Sequence, residues 1–370
     1  MTLGDTDLWS FLDARLDAVK EYAPEPLETT SERLGVPMAQ LIKLDANENP
    51  YGPTQAALEA VGSYRELHRY PDPLARRLRE AIAEFVGADT AQIVVGNGSD
   101  ELIELILRLV RPDSSGQGVS EILTCPPTFG MYAFYGGCDG IPVREVPRVG
   151  PFDVNVDAIS DICEADPRLR ILFLASPNNP DGGLLSQAHL ERLLALPLLV
   201  VLDEAYVEFG GKSRAALVAE HDRLVVLRTF SKWAGLAGMR VGYGVCPSRL
   251  AKLLLKQKSP YNVNGPAQAA ALATLRDRQA ALDRVAAIVA ERERMASALE
   301  EIDGLQPYPS HANFLLCRLE DLDAGELRAH MEARGILLRY FDQGVLRRHV
   351  RITVGTPDQN DAVLAALREL

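Results

Sequence analysis

The sequence predicts an α/β protein in which a large domain, with a mostly parallel mixed sheet covered by helices on both faces, is joined to a smaller α+β domain. Two observations predict this fold. Apolar segments at 171–174, 198–202 and 224–227 have no polar face and alternate with helical segments, as the strands of a covered parallel sheet do. The length of 370 residues also exceeds one ordinary domain of roughly 100–200 residues. We therefore expect two domains.

The predicted elements change in character near Tyr261. Before that residue, short apolar runs bounded by turn residues predict strands, and apolar residues at helical spacing predict helices. The strands are expected at 41–44, 93–95, 122–124, 141–146, 170–174, 198–202, 224–227 and from 241, with helices at 6–21, 74–86 and 101–110. Beyond Tyr261 we expect one long or broken helix over 267–300, strands at 312–317, 336–339 and 349–354, and a helix at 324–334.

These elements divide the chain into three parts. Residues 1–45 are expected to form an N-terminal arm and part of the small domain, since prolines 24 and 26 rule out one continuous helix there. Residues 46–261 are expected to form the large domain, which binds the ligand, and residues 262–370 the small C-terminal domain.

Composition and charge exclude several classes of function. The net charge of −12 argues against nucleic acid or an anionic membrane as a partner. Five scattered cysteines without a C-x-x-C pair predict reduced thiols, and the six histidines lack the spacing of metal ligands. The N-terminus has no apolar h-region, and no 18-residue apolar run occurs. We expect a cytoplasmic protein without a metal site or a membrane span.

Polar, turn-rich loops follow four of the predicted strands, after Val95, Leu174, Leu202 and Leu227. In sheets of this kind ligands bind beyond the carboxyl ends of the strands. We therefore expect these four loops to form one rim of a binding site. The loop at 96–100 leads into a helix, whose free N–H groups and positive dipole suit a phosphate, although an ordinary N-cap has the same pattern.

The loop after Leu227 contains Lys232, directly after the hydroxyl residue Ser231, and the basic residue Arg240 follows later in the same loop. A lysine at the carboxyl end of a buried strand can lose its hydration and lower its pKa, which suits the amine of a Schiff base. A lysine taken alone at such a position more commonly extends to solvent. The other rim residues favour the first interpretation.

Pyridoxal phosphate is a carbonyl compound whose requirements the rim residues meet together. Asp203, at a strand end, suits the ring nitrogen, whereas its neighbour Glu204 should point to the opposite face by strand alternation. Asn179 and Tyr206 can donate to the phenolate oxygen, and Phe129 can stack on the ring or belong to the core. The phosphate is expected to bind to the Ser99 and Asp100 amides, Ser231 and Arg240.

Ten motifs in order along nearly the whole chain resemble the fold-type I pyridoxal-phosphate aminotransferases. They are LDANENPYGP (44–53), YPDP (70–73), GNGSDELIEL (96–105), CPPTFGMY (125–132), SPNNPDG (176–182), VVLDEAYVEF (200–209), LRTFSKWAGLAGMRVGYG (227–244), KSPYNVN (258–264), PSHANFLLC (309–317) and HVRITVGTP (349–357). The resemblance implies that Lys232 is the imine lysine and proton carrier, with Asp203 and Tyr206 beside it in the catalytic set. It also implies a homodimer, in which Tyr70 reaches the cofactor phosphate of the other subunit.

The resemblance is strongest to family members that act on histidinol phosphate, which implies transamination of L-histidinol phosphate with 2-oxoglutarate in histidine biosynthesis. Arg351 and Arg339 are expected to bind the small anionic substrates, since a guanidinium fork suits a carboxylate and a phosphate monoester alike. The alternative for Arg351 is a solvated basic strand. Asn47 and Tyr51 are expected to line the substrate side.

Two other activities remain open at this point: transamination of aromatic or other amino acids, and decarboxylation of a phosphorylated amino acid with the same cofactor residues. Three positions also depart from the family pattern. Asp181 replaces the usual Thr and is expected to put a negative side chain near the rim. Residues 25–27 lack a tyrosine that many members have, and Trp233 follows the lysine where many relatives have a smaller or basic residue.

Overall fold

The computed structural model describes residues 23–110, 120–342 and 344–370, together with residues 13, 16 and 19. The helix predicted over 6–21 falls almost wholly outside these described residues. The described helices are α1 Leu27–Leu34, α2 Gln55–Gly62, α3 Arg76–Val86, α4 Gly98–Leu107, α5 Met131–Cys138, α6 Val156–Ala165, α7 Gln187–Leu194, α8 Ser248–Gln257, α9 Gly265–Arg276, α10 Arg278–Glu300, α11 Ala324–Glu332 and α12 Pro357–Leu367.

The described strands form three sheets. Their bounds are β1 Ile42–Lys43, β2 Ile93–Asn97, β3 Glu121–Thr124, β4 Val143–Glu145, β5 Leu169–Ala175, β6 Leu199–Asp203, β7 Leu224–Thr229, β8 Val241–Val245, β9 Leu305–Pro307, β10 Phe314–Leu319, β11 Ile336–Leu337, β12 Arg339–Tyr340 and β13 His349–Thr353.

The largest sheet has the strand order β2-β8-β7-β6-β5-β3-β4. Strands β4, β3, β5, β6 and β7 run parallel, and β8 pairs antiparallel with both β7 and β2. This confirms the predicted mixed, mostly parallel sheet. Since the parallel strands share one direction, the loops after β5, β6 and β7 leave the sheet at the same edge.

Helices cover both faces of this sheet because its strands are apolar on both sides. One face packs against α4, α5 and α8 around Ile103, Tyr132 and Leu254, all of which are buried. The other face belongs to a larger core that includes residues of α3, α6, α7, α9 and α10 and continues into the four-stranded sheet. The predicted layers on both faces are therefore confirmed.

The second sheet is antiparallel, with the order β12-β13-β10-β9, and lies against α10. Strand β1, near the N-terminus, also belongs to this part of the molecule, because it pairs in parallel with β11, which lies between β10 and β13 in the chain. Helix α9 packs instead against α2 and α3 of the preceding part of the chain. We keep the division at 45/46 and 261/262 as a proposal, with β1 on the side of the small domain.

The start of helix α4 differs from the sequence prediction, and the helix that was predicted to be long or broken is broken. Helix α4 begins at Gly98 rather than residue 101, since Gly98 adopts a φ of 74° and turns the chain directly from β2 into the helix. The periodic segment 267–300 is a broken helix, interrupted at Asp277, where φ is −106° and ψ is 37°. The break allows α9 and α10 to pack against different parts of the molecule.

Candidate active site

A cavity lies at the carboxyl ends of β5, β6 and β7, next to the start of α4, and we call it the rim cavity. Residues from all four predicted rim loops line it. The lining residues are Ala46, Glu48, Ser99, Asp100, Phe129, Tyr132, Ala175, Asn179, Asp203, Ala205, Tyr206, Thr229, Ser231, Lys232, Ala237 and Arg240. Residues up to 194 positions apart in the sequence, from Ala46 to Arg240, are thus brought to one site.

Lys232 projects into the rim cavity from the loop after β7. Its Nζ donates a hydrogen bond of 3.1 Å to the backbone oxygen of Ala46 and lies 5.8 Å from the ring centre of Tyr206. Burial, with a contribution from the positive charge of Arg351, lowers the pKa of this amine to about 8, whereas the negative charge of Glu48 opposes the change. A substantial fraction of the amine is therefore neutral near physiological pH.

Asp203 ends β6, the strand next to β7, and lines the rim cavity. Its side chain is 4% exposed and accepts hydrogen bonds from the Tyr132 hydroxyl at 2.8 Å and the Ala205 N–H at 3.0 Å. Burial raises the pKa of this carboxyl to about 6, and the two hydrogen bonds limit the rise. At neutral pH the group is mostly ionised, so it can hold a cationic N–H.

Asn179 and Tyr206 face the cavity with their orientation fixed by other side chains. The Asn179 Oδ1 accepts a hydrogen bond of 2.6 Å from Arg351, and the Tyr206 hydroxyl accepts one of 3.0 Å from Asn47. Because Oδ1 faces the guanidinium, the amide nitrogen of Asn179 is turned to the other side. The second nitrogen of Arg351, Nη2, donates to the Asp45 backbone oxygen at 2.5 Å.

The start of α4 forms one end of the cavity. Ser99 and Asp100 supply the first-turn N–H groups there, and Arg240 pairs with the Asp100 carboxylate at 2.8 Å. Two glycines permit this close arrangement. A Cβ on Gly98 would lie 2.6 Å from Arg240 Nη2, and one on Gly242 would lie 2.4 Å from the Ser99 nitrogen. Free N–H groups, a guanidinium and the Ser231 side chain together form a site suited to a phosphate.

Phe129 lines the cavity and packs edge-on against Tyr132, with ring centres 5.6 Å apart. Tyr132 in turn stacks on Phe173 of β5 at 5.1 Å. Phe129 thus contacts both the cavity and the aromatic core, so the two interpretations of its sequence position do not exclude each other.

Five predicted site residues, Arg351 among them, lie outside the cavity wall. Asn47 is buried behind Tyr206, and Tyr51 packs against the core. Arg339 is exposed on β12, directly opposite Arg351 on β13, so the two side chains share one face of the sheet. Tyr70 is 81% exposed and stacks on Tyr261, with ring centres 4.4 Å apart. Asn47 and Arg351 reach the cavity through one hydrogen bond each.

Two positions that depart from the family pattern turn out to be internal. Asp181 is 3% exposed and bonds within its own loop, accepting from the Gly183 N–H at 2.7 Å and from the Asn178 amide. The carboxylate thus lies in the loop that carries the lining residue Asn179, but the loop folds over it and satisfies its oxygens. Trp233 is fully buried and stacks on Phe85 at 5.4 Å.

Seven residues of the cavity wall were not predicted from the sequence: Ala46, Glu48, Tyr132, Ala175, Ala205, Thr229 and Ala237. Thr229 bonds with Ser231, its Oγ1 lying 2.9 Å from the serine Oγ, and Tyr132 bonds with Asp203. The one feature of the sequence that could have indicated Thr229 as a cavity residue is its position two residues before Ser231. Glu204, as alternation predicts, points away from the cavity and accepts from Ser213 and the Arg214 N–H.

Other kinds of site find no support in the described residues. Across 23–110, 120–342 and 344–370 no three His, Cys, Asp or Glu side chains are grouped so that they could hold a metal ion. The same part of the chain contains no helix that is long and apolar enough to span a membrane.

Comparison with known proteins agrees with this geometry. The chain is 48% identical to histidinol-phosphate aminotransferase from Roseiflexus castenholzii, over 95% of this chain and 96% of that protein. The crystal structure of histidinol-phosphate aminotransferase from Sinorhizobium meliloti in complex with pyridoxal-5'-phosphate matches with a TM-score of 0.86 and 25% identity, covering 99% of this chain and 98% of the other.

A third solved structure is that of L-threonine-O-3-phosphate decarboxylase from Porphyromonas gingivalis, with a TM-score of 0.77 and 27% identity, covering 89% of this chain and 99% of the other. The family model described as aminotransferase class I and II matches residues 39–367. The chain therefore belongs to the class I and II aminotransferase family.

Proposed function

We propose that the protein is a pyridoxal-phosphate-dependent aminotransferase that transfers the amino group of L-histidinol phosphate to 2-oxoglutarate, giving imidazole acetol phosphate and glutamate in histidine biosynthesis. One observation supports the chemistry above all others. Lys232, with a pKa lowered to about 8, faces a cavity that has a buried carboxylate on one wall and a helix N-terminus at one end. The 48% identity to a histidinol-phosphate aminotransferase over nearly the whole chain supports the substrate.

The residues of the rim cavity fit pyridoxal phosphate. The glycine-lined cradle at Gly98 and Gly242, with the Ser99 N–H, Ser231 and Arg240, would hold the phosphate. Asp203 would accept the ring N–H, and Phe129 would pack on the ring. When bound, the cofactor supplies an aldehyde and a ring that withdraws electrons from the substrate α-carbon.

The chain's own groups then account for orientation and proton transfer. The Asn179 amide nitrogen and the Tyr206 hydroxyl are donors that would orient the phenolate oxygen, with Asn47 and Arg351 fixing their directions. The neutral Nζ of Lys232 would take the proton from the substrate α-carbon and deliver it, on the same side, to the carbon that was the aldehyde carbon of the cofactor. A base with a pKa near the working pH is effective in this role.

The substrate anions would bind to the arginine pair of the small domain. Arg351 is 7% exposed and directly opposite Arg339, so a carboxylate or a phosphate monoester can be held between two guanidinium groups. The contacts of Arg351 with Asn179 and the Asp45 oxygen keep it pointed at the substrate side. The same pair would serve glutamate in the second half of the reaction.

We propose in addition a cytoplasmic homodimer. Tyr70 and Tyr261 form an exposed stacked pair, which a second copy of the chain would cover, and Tyr70 would reach the partner's phosphate site. All five cysteines are unpaired thiols, in keeping with a reducing compartment.

The proposed function is tested by a half-reaction with purified holoprotein. L-Histidinol phosphate without a keto acid should convert the cofactor to its amine form and release one equivalent of imidazole acetol phosphate, and 2-oxoglutarate should reverse the spectrum. Conversion by an aromatic amino acid but not by L-histidinol phosphate would refute the substrate.

Decarboxylation is the second candidate, because the fold also matches that of a phospho-amino-acid decarboxylase. The two reactions break different bonds of the substrate, and both can use the same cofactor-binding residues. Stoichiometric carbon dioxide from L-threonine O-3-phosphate, without formation of the amine form of the cofactor, would establish the decarboxylase instead.

A further inference from the structure

The substrate side of the rim cavity contains one acidic side chain without a role in the reaction described above. Among the described residues that line the cavity, the carboxylates belong to Glu48, Asp100 and Asp203. Asp100 takes part in an ion pair of 2.8 Å with Arg240, and Asp203 is buried at the end of β6. Of these three carboxylates, that of Glu48 pairs with Lys43 on the side of the small domain.

The carboxylate of Glu48 is half exposed at the rim cavity and pairs with Lys43. Lys43 donates to its Oε2 at 2.8 Å and lies 3.0 Å from Asp45 Oδ1. Lys43 belongs to β1, which is fixed by its pairing with β11, next to the strand that carries Arg339. The backbone oxygen of Glu48 also accepts from Asn313 at 3.4 Å. Glu48 is therefore anchored to the small domain through both its side chain and its backbone.

The flanking backbone brings this carboxylate to the reacting groups. Ala46 accepts the hydrogen bond of Lys232, and Asn49 donates to the backbone oxygens of Lys232 and Trp233 at 3.1 Å each. Glu48 and Lys232 both line the rim cavity, and the negative charge of Glu48 acts to raise the pKa of Lys232. In the contacts of the described residues, Lys43 occupies Oε2, so Oε1 can accept a further hydrogen bond.

We propose that Glu48 is the specificity-determining residue that binds the ring of the substrate, by accepting a hydrogen bond from an N–H-bearing, weakly basic heteroaromatic ring such as imidazole. The inference rests on the proposed function. That substrate has three polar groups: its amine belongs to the Lys232 side, its phosphate to the arginine pair, and its ring N–H remains. A carboxylate next to Lys232 is the acceptor that the ring requires, and a charge-assisted hydrogen bond is the strong kind.

A different role for Glu48 would be attraction of the ammonium group that every amino donor carries. The two roles give different results, because L-glutamate has the ammonium group but no ring. Loss of ring binding weakens the reaction with L-histidinol phosphate alone, whereas loss of ammonium attraction weakens both reactions. A purely structural role through Lys43 and Asn313 would likewise affect both.

The test compares the half-reactions of the wild-type holoenzyme, Glu48→Gln and Glu48→Ala with each donor separately. The apparent dissociation constant is taken from titration of the cofactor spectrum, and Glu164→Gln, at an exposed position on α6, is the matched control. Loss of a hydrogen bond to a charged group should raise the constant for L-histidinol phosphate roughly tenfold or more in both Glu48 variants. The constant for L-glutamate should change less than about threefold, as expected for a group that contacts the ring alone.

The pH dependence provides a second readout that a structural role would not change. As the pH falls through about 6.5, where an imidazole becomes cationic, the wild-type enzyme should gain affinity for L-histidinol phosphate relative to Glu48→Gln, because the amide has no charge to attract the imidazolium. The substrate phosphate titrates in the same range but affects both proteins equally, so the ratio of the two affinities is the readout.

An equal change for both donors, or no change for either, would overturn the assignment of Glu48 while leaving the proposed function intact. Absence of any wild-type reaction with L-histidinol phosphate, with L-glutamate still active, would overturn the proposed substrate and the role of Glu48 together.

Discussion

The amine of Lys232 should titrate near pH 8 in the protein freed of its cofactor. Burial and the charge of Arg351 lower its pKa from 10.5 to about 8, which corresponds to a free-energy cost of the charged form on the order of 3 kcal/mol. At pH 7.5 about a quarter of the molecules would then carry a neutral Lys232, compared with about one in a thousand for an unperturbed lysine. The low pKa thus makes the amine available as a nucleophile and base.

Two substitutions should shift this midpoint in opposite directions. Arg351→Met removes a positive charge that lowers the pKa of Lys232, so the midpoint should rise toward 10.5. Glu48→Gln removes a negative charge that raises it, so the midpoint should fall. Competitive acetylation with trace acetic anhydride across pH 6–11, quantified on the Lys232 peptide by mass spectrometry, measures the titration. A midpoint near 10.5 that neither substitution moves would refute the reasoning.

Three further predictions concern the cofactor and substrate contacts. Arg351→Ala should raise KM for both anionic substrates by roughly 10–100-fold, because charge-assisted hydrogen bonds are lost; an unchanged KM in steady-state assays would remove Arg351 from the pocket. Asp203→Asn should lower kcat roughly 10–100-fold by removing the charge that holds the ring N–H, and an unchanged single-turnover rate would contradict this. Gly242→Ala should weaken cofactor binding at least about tenfold in equilibrium dialysis, because its Cβ would lie 2.4 Å from the Ser99 nitrogen. The control Gly62→Ala has open space around the new Cβ and should bind the cofactor normally. Equal affinities of the two variants would count against the proposed phosphate site.

The sequence predicted the cavity residues that follow strands directly. Asp203 and Lys232 could be placed because a parallel sheet brings all its carboxyl strand ends to one edge, and strand alternation separated Asp203 from Glu204. The structure brings both to the cavity and turns Glu204 away from it. Their catalytic roles remain proposals that the experiments above address.

The residues that the sequence did not reveal depend on long-range packing. Tyr132 reaches Asp203 from 71 positions away, and its helix is aromatic on several sides, so no periodicity showed which ring faces the sheet. Asp181 looked like a rim charge because the sequence does not show that its loop encloses it. The boundary of α4 was missed for a local reason, since a glycine at φ 74° can begin a helix where a prediction expects a turn.

Lys232 is the residue proposed to bond to the cofactor. Borohydride reduction of the purified holoprotein, followed by peptide mapping, tests this bond. The mass of the reduced cofactor should be found on the Lys232 peptide, and Lys232→Ala should carry no such adduct. An adduct on a different lysine, such as Lys43 or Lys258, or an unchanged adduct in Lys232→Ala, would contradict it.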